Sequence, residues 1–356
     1  MRIAEVAPLF EAVPPKLYGG TERVVSYLTE ELVAMGHDVT LFASADSVTS
    51  ARLVGACTDS LRLHGADAES MIPHILQIES VMARADEFDV IHFHMDILHY
   101  PFARRSVVPV LTTLHGRQDL PELGELYREF DDVALISISD AQRRPITWAN
   151  WIGTVHHGLP ARSLRAAGRP GGYLAFIGRF SAEKRFDRAV AIARATGLPL
   201  KAAAKADTHD GEYFDRVVRP LLDDPLVEWV GEIGEDDKEA FLGGALAHLF
   251  PIDWPEPFGL VMIEAMACGT PTIAWSRGSV PEVIEEGVTG YVVDSVEAAA
   301  AAVERCRHFD RQRCRQAFER RFTVRRMATD YLKLYQRAAA AARRPSLRRA
   351  LGGLAE

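Results

Sequence analysis

Residues 250–271 read FPIDWPEPFGLVMIEAMACGTP. The stretch carries the end of an apolar run, ALAHLF (245–250), through a proline-stiffened loop into a second apolar run, LVMIEAMA. A short buried strand, a loop and a packed helix make one α/β unit. One carboxylate, Glu264, lies within the helix among Val261, Ile263, Ala265 and Ala267. Burying a carboxylate without a partner is costly. Its partner is either a Lys, an Arg or a loop donor, or else ligand hydroxyls such as a ribose diol. A second carboxylate, Glu256, stands between Pro255 and Pro257, whose rings fix φ. It sits at the carboxyl end of the strand, where α/β sheets bind ligands. A preorganised carboxylate there suits a sugar hydroxyl or a developing positive charge. The amides of Phe258, Gly259 and Leu260 open the helix and favour a nearby anion.

The same unit recurs along the chain. RIAEVA (2–7), HDVTLFA (37–43), DVIHFH (89–94), PVLTTLH (109–115), VALISIS (133–139) and GTVHHG (153–158) read as strands separated by helical stretches. RSLRAAGRPGG (162–172) reads as a linker. Alternation restarts with YLAFIG (173–178) and runs through LPLKAAA (198–204), LVEWVG (226–231), ALAHLF, PTIAW (271–275) and GYVV (290–293). The expected organisation is an α/β chain of two Rossmann-like domains, 1–162 and 170–322, facing each other across a cleft. A helix at about 323–340 has an apolar face of Met327, Tyr331, Leu334 and Tyr335, and it should cross back to complete the first domain. Residues 341–356 form a basic tail.

Bulk properties restrict the function. The 356 residues are too many for one ordinary core. A net charge of −8 argues against general nucleic-acid binding. Four cysteines without CxxC spacing point to a reduced, cytosolic protein. The opening MRIAEVAPLF carries Glu5 and is a poor signal peptide. The arginines of the tail (Arg337, Arg343, Arg344, Arg348, Arg349) are compatible with peripheral contact to an anionic lipid surface, or with a solvated helix end.

Several residues are candidates for chemistry. Arg179 and Lys184 in IGRFSAEK follow a strand and close a loop before a helix, as an anion site would. Gly19 and Gly20 lie between the first strand and first helix. His115 follows a strand at the expected cleft rim. His92 and His94 share one face of a strand and make a metal pair conceivable with Asp96 or His99. No D-x-D triplet, which would suggest a Mg²⁺-bound sugar nucleotide, occurs in the chain.

PEPFGLVMIEAMACGTP, with its E-x7-E pair, resembles the signature of family 4 retaining glycosyltransferases of GT-B fold. YGGTE (18–22), DVIHFH, TTLHG (112–116), ISIS (136–139), HHGLP (156–160), IGRFSAEKRFD (177–187), GSVPEVI (278–284) and GVTGYVV (287–293) occur in that family's order. The resemblance covers nearly the whole chain. It implies transfer of a sugar from a nucleoside-diphosphate sugar to an acceptor hydroxyl, with retention and without metal or other cofactor. It implies that Arg179, Lys184, Gly19 and Gly20 face the diphosphate. Glu264 would hold the ribose, and Glu256 and His115 the donor sugar. It also implies that the H-x-H pair is part of the cleft wall. Where many relatives have Gly after the lysine, this chain has Arg185. Two alternatives fit less well. A sugar-nucleotide 2-epimerase shares the GT-B architecture, but the E-x7-E pair and the Glu183–Lys184 loop count against it. A non-catalytic sugar-nucleotide-binding protein would keep Arg179 and Glu264 but lose the sugar-facing Glu256 and His115, both present here.

Overall fold

The computed structural model describes residues 1–16, 19–63, 71–166, 171–206 and 210–343. Most of the basic tail, residues 167–170 of the linker, and Tyr18 of the YGGTE motif fall outside them. Two parallel sheets organise the chain. The first contains β1 (Arg2–Val6), β2 (Asp38–Ala43), β3 (Arg52–Gly55), β4 (Val90–Phe93), β5 (Val110–Thr113), β6 (Ala134–Ser137) and β7 (Trp151–Thr154). Its order is β3-β2-β1-β4-β5-β6-β7. The second contains β8 (Leu174–Arg179), β9 (Leu200–Lys205), β10 (Val227–Gly231), β11 (Ala247–Phe250), β12 (Thr272–Trp275) and β13 (Gly290–Val293), in the order β10-β9-β8-β11-β12-β13.

Central strands read as continuous apolar runs because both of their faces are covered. β4 and β11 are buried at every residue. The strand order reverses between β1 and β4 in one sheet and between β8 and β11 in the other. At such a switch point the loops diverge to opposite faces and leave a crevice outside the carboxyl ends of the strands. The loops after β1, β4, β8 and β11 carry most of the candidate residues.

The helix Val324–Arg343 leaves the second sheet and lies on the first lobe. Its Met327, Tyr331, Leu334 and Tyr335 pack with Ile3, Val24, Leu28, Val90 and Leu111. The backbone crosses where the Leu159 amide donates to the Phe322 carbonyl (2.9 Å) and the Val324 amide to Leu159 (2.8 Å). The short β3 is absent from the sequence reading, because RLVG has exposed ends, only half-buried Leu53 and Val54 between them, and no continuous apolar run. β7 begins at Trp151, two residues before the expected GTVHHG strand, whose end instead supplies loop histidines.

The crossing helix has a measurable share in stability. Met327 is fully buried, so Met327→Ala should destabilise the protein by about 2–5 kcal/mol. Exposed Lys333→Ala should stay within about 0.5 kcal/mol. Urea unfolding of both variants checks the contrast.

Candidate active site

A cleft of about 1000 Å³ lies between the two lobes. Gly19, Gly20, His115, Arg179, Lys184, Glu256, Phe258, Gly259, Leu260 and Glu264 all line it. The fold thus gathers these candidates from both lobes into one cavity, while His92 and His99 of the H-x-H region stay outside its lining.

Two helix starts meet there. The helix Leu260–Ala267 has no side-chain cap, and its preceding Gly259 has φ 79°. A Cβ at Gly259 would come within 2.8 Å of Met262 Cε, so a side chain is excluded by both space and backbone conformation. From the other lobe, the helix Gly20–Ala34 also lacks a side-chain cap and follows Gly19 at φ 147°. A Cβ at Gly20 would lie 3.6 Å from Leu260 Cδ1, which places the two starts against each other. Uncapped N–H groups and two aligned macrodipoles make this the anion-favouring part of the cleft.

Cations complete it. Arg179 ends β8 and donates to Glu183 at 2.9 Å, while its buried Nε has no acceptor among the described residues. Lys184 closes the turn Ala182–Lys184 and donates to Glu256 Oε2 at 2.5 Å. Trp254 Nε1 donates to the same oxygen at 3.1 Å, and the Lys184 ammonium sits 4.8 Å from a Trp254 ring centroid. The expected phosphate cation and the expected sugar-binding carboxylate therefore hold each other. The next residue, Arg185, has φ 52°, a left-handed conformation that favours glycine. Here its guanidinium is tied to Asp187 (2.7 Å) and Asp253 (3.0 Å), contacts that help to hold the strained backbone.

Glu264 is buried and accepts from Lys238 Nζ at 2.6 Å. Lys238 also contacts Glu235 at 3.2 Å. Glu235 takes an ion pair from Arg23 (2.7 Å) and a hydrogen bond from the Tyr27 hydroxyl (2.9 Å), both on the first lobe. The ion-pair reading of Glu264 is thus realised, in a cleft-lining position that leaves the ribose reading compatible with it. Lys238, Glu235 and Arg23 were not foreseen, since nothing local in sequence links residues 23, 235 and 264.

The histidines form a chain rather than the expected set. Register places Glu5 of β1 beside His92 of β4. His94 Nε2 contacts Glu5 Oε2 at 2.9 Å, and His94 Nδ1 contacts His115 Nε2 at 3.0 Å. His92 bridges the Tyr335 hydroxyl (2.6 Å) and Thr113 (2.7 Å). The carboxylate beside the H-x-H pair is therefore Glu5, correcting Asp96 and His99. Thr112 and Thr113 point to opposite faces of β5, so His99 bonds Thr112 and stacks on Phe93, away from His92. Glu5, His92 and His94 have potential ligand atoms within 4.8 Å of one another. In this structure those atoms bond to each other and to Tyr335, Thr113 and His115. Burial tends to raise the Glu5 carboxyl, but the charge and hydrogen bonds of His92 and the contact from His94 outweigh it and hold it at about 2. Burial pushes His94 down to about 4 and His115 well below its ordinary value. Glu5 was legible as an anomaly, a charge in a short apolar strand, of the same kind as Glu264.

Two parallel-sheet lobes with an anion-favouring cleft of about 1000 Å³ at their switch points are the GT-B arrangement. The chain belongs to Glycosyltransferase Family 4, whose model matches residues 18–202, and a second model, glycosyl transferases group 1, matches residues 168–319. It is 28% identical over 332 residues to a glycogen synthase of Mycobacterium tuberculosis, covering 78% of this chain and 79% of the relative. Its fold is similar to that of a sucrose-phosphate synthase from Thermosynechococcus elongatus, with TM-score 0.78, 20% identity and coverage of 96% and 99%. It is also similar in fold to Anabaena HepE in complex with UDP and glucose, with TM-score 0.72, 16% identity and coverage of 94% and 99%. Among the described residues no helix is long and apolar enough to cross a membrane.

Removing Lys238 leaves the Glu264 carboxylate buried beside a depleted partner set. Lys238→Met should cost about 3 kcal/mol, and much less in a Glu264→Gln background, because only the paired charge makes the loss severe. Thermal or urea unfolding of the four-protein cycle measures the difference.

Proposed function

We propose that this glycosyltransferase takes its sugar from a nucleoside diphosphate and transfers it to an acceptor hydroxyl with retention, without a metal. The observation that carries the reading is the convergence, in one cleft, of two uncapped helix starts from the two lobes with Arg179 and Lys184. That arrangement suits a diphosphate leaving group, whose charge grows as the glycosidic bond breaks. Lys184 would turn from Glu256 toward the phosphates, or be shared between them. Glu264 would accept hydrogen bonds from the ribose diol while Lys238 keeps it charged. The first lobe would supply the acceptor wall, where Phe10, Met71, Leu98 and Leu120 give the cleft an apolar stretch.

Glu256 would contact the donor sugar. Its Oε2 accepts from both Lys184 and Trp254, which favours a role as a hydrogen-bond acceptor over that of an attacking nucleophile. Attack by the acceptor on the face that the diphosphate leaves would then retain configuration, with a phosphate oxygen taking the proton.

A panel of sugar nucleotides, scored by thermal shift and by release of nucleoside diphosphate, selects the donor. With that donor, Arg179→Ala and Lys184→Ala should each weaken UDP or GDP binding by calorimetry. Glu264→Gln should weaken it by about ten- to a hundredfold, as expected for a charge-assisted hydrogen bond. Glu256→Ala should lower kcat more than it changes nucleotide Kd, the pattern of an interaction made mainly in the transition state. Near-normal kcat in Glu256→Ala removes this residue from the chemistry. The anomeric configuration of the product, read by proton NMR, tests retention.

The metal-free reading has its own test. Activity should survive EDTA, since two cations and two helix starts are positioned for the charge. Loss of turnover restored by Mg²⁺ or Mn²⁺ would show that the diphosphate is held through an ion instead.

A further inference from the structure

His115 meets the cleft at the end of a buried polar chain that begins at Glu5, and the chain leaves little freedom in how its protons are placed. We infer that Glu5 and His94 are positioning residues that lock His115 as its Nε2–H tautomer, so that it presents an Nδ1 lone pair to a hydroxyl of the donor sugar. The inference rests on the donor-sugar reading of His115 and adds the direction of the hydrogen bond.

The argument runs inward to outward. A carboxylate can only accept, so the His94 nitrogen 2.9 Å from Glu5 must carry hydrogen. Glu5 is fully buried on β1 and is held as a carboxylate, with the Tyr335 hydroxyl donating to its other oxygen at 2.9 Å. The His94 ring, kept neutral by burial, has one N–H and has placed it on Nε2. Its Nδ1 is therefore an acceptor. The contact of 3.0 Å to His115 Nε2 then requires His115 to donate. His115 is also kept neutral by burial, so its Nδ1 has no hydrogen. That atom makes no hydrogen bond among the described residues, and His115 lines the cleft. The ring plane is held as well: His157 stacks on it at 5.3 Å with an interplanar angle of 16°, and His157 in turn meets Phe258 edge-on at 4.8 Å. A sugar hydroxyl that donates to Nδ1 is accepted, and a group that offers only lone pairs is refused. Glu5 and His94 touch no substrate and act through His115.

Long-range nitrogen–proton correlation of histidine-labelled, ligand-free protein reads the tautomer, with His115→Gln assigning the signal. The expected result is Nε2–H. His94→Gln keeps a donor for Glu5 and an acceptor for His115, so it should keep both the tautomer and turnover. His94→Phe keeps an aromatic ring but removes both bonds. It should free the tautomer and lower kcat by about five- to tenfold, the size of one neutral hydrogen bond, with UDP affinity unchanged. In a His115→Ala background His94→Phe should cause no further loss of kcat. An Nδ1–H tautomer in the unmodified protein overturns the inference even if sugar transfer is intact. So does stoichiometric zinc bound through His94 in the purified protein. An Nε2–H signal with no turnover of any sugar nucleotide leaves the tautomer standing and removes the donor-sugar reading beneath it.

Discussion

One buried carboxylate, Glu5, ties together parts of the first lobe that are far apart in sequence. It lies in β1, an interior strand of the first sheet beside the switch point, and is fully inaccessible. A lone carboxylate there would be untenable. His94 brings β4, and through His115 the end of β5, into contact with it, while Tyr335 brings the helix that returns from the second lobe. The polar group that is costly to bury is thus offset by partners from three other segments. Each partner is constrained in turn, because a buried donor or acceptor left unmatched costs about 1–3 kcal/mol. The result is a core whose polar pairing fixes register and positions a cleft residue at once.

The cleft follows the same logic with weaker ties. Lys184 with Glu256 and Lys238 with Glu264 satisfy one another. The pairs are mostly shielded but reach the cavity, so a ligand carrying phosphates and hydroxyls can compete for each half. Trp254 donates to the same Glu256 oxygen as Lys184, so Glu256 has a second anchor besides the lysine. Preorganisation of this kind keeps charge in place at small reorganisation cost when the reaction builds charge on the leaving group.

Most of the architecture was legible because parallel strands covered on both faces leave uninterrupted apolar runs. β3 was missed because an edge strand with half-exposed residues lacks that run. The site residues on strand ends and glycine loops were readable from motif order and from charges out of place. The partners were not. Glu264 announced that it needed a counter-ion, but Lys238 lies 26 residues away on another helix, and only packing brings it to 2.6 Å. Likewise His92 and His94 were visible as a pair, whereas their link to Glu5 depends on which strands become neighbours. Local pattern reveals the anomaly; topology supplies the answer.

The lobes themselves are joined by a contact that shares a residue with the nucleotide side of the cleft. Arg23 and Tyr27 reach from the first lobe to Glu235, and Lys238 touches both Glu235 and Glu264. A lysine drawn toward one carboxylate is drawn partly from the other, because its ammonium can satisfy both only in a narrow geometry. A ligand that takes hydrogen-bonding capacity from Glu264 therefore changes the charge balance around Glu235, where the other lobe is attached. The crossing helix packs on the first lobe and ties the two lobes covalently and by packing. The Arg23–Glu235 contact and the crossing helix are therefore two separate links between the lobes, and only the first shares a charged neighbour, Lys238, with the cleft.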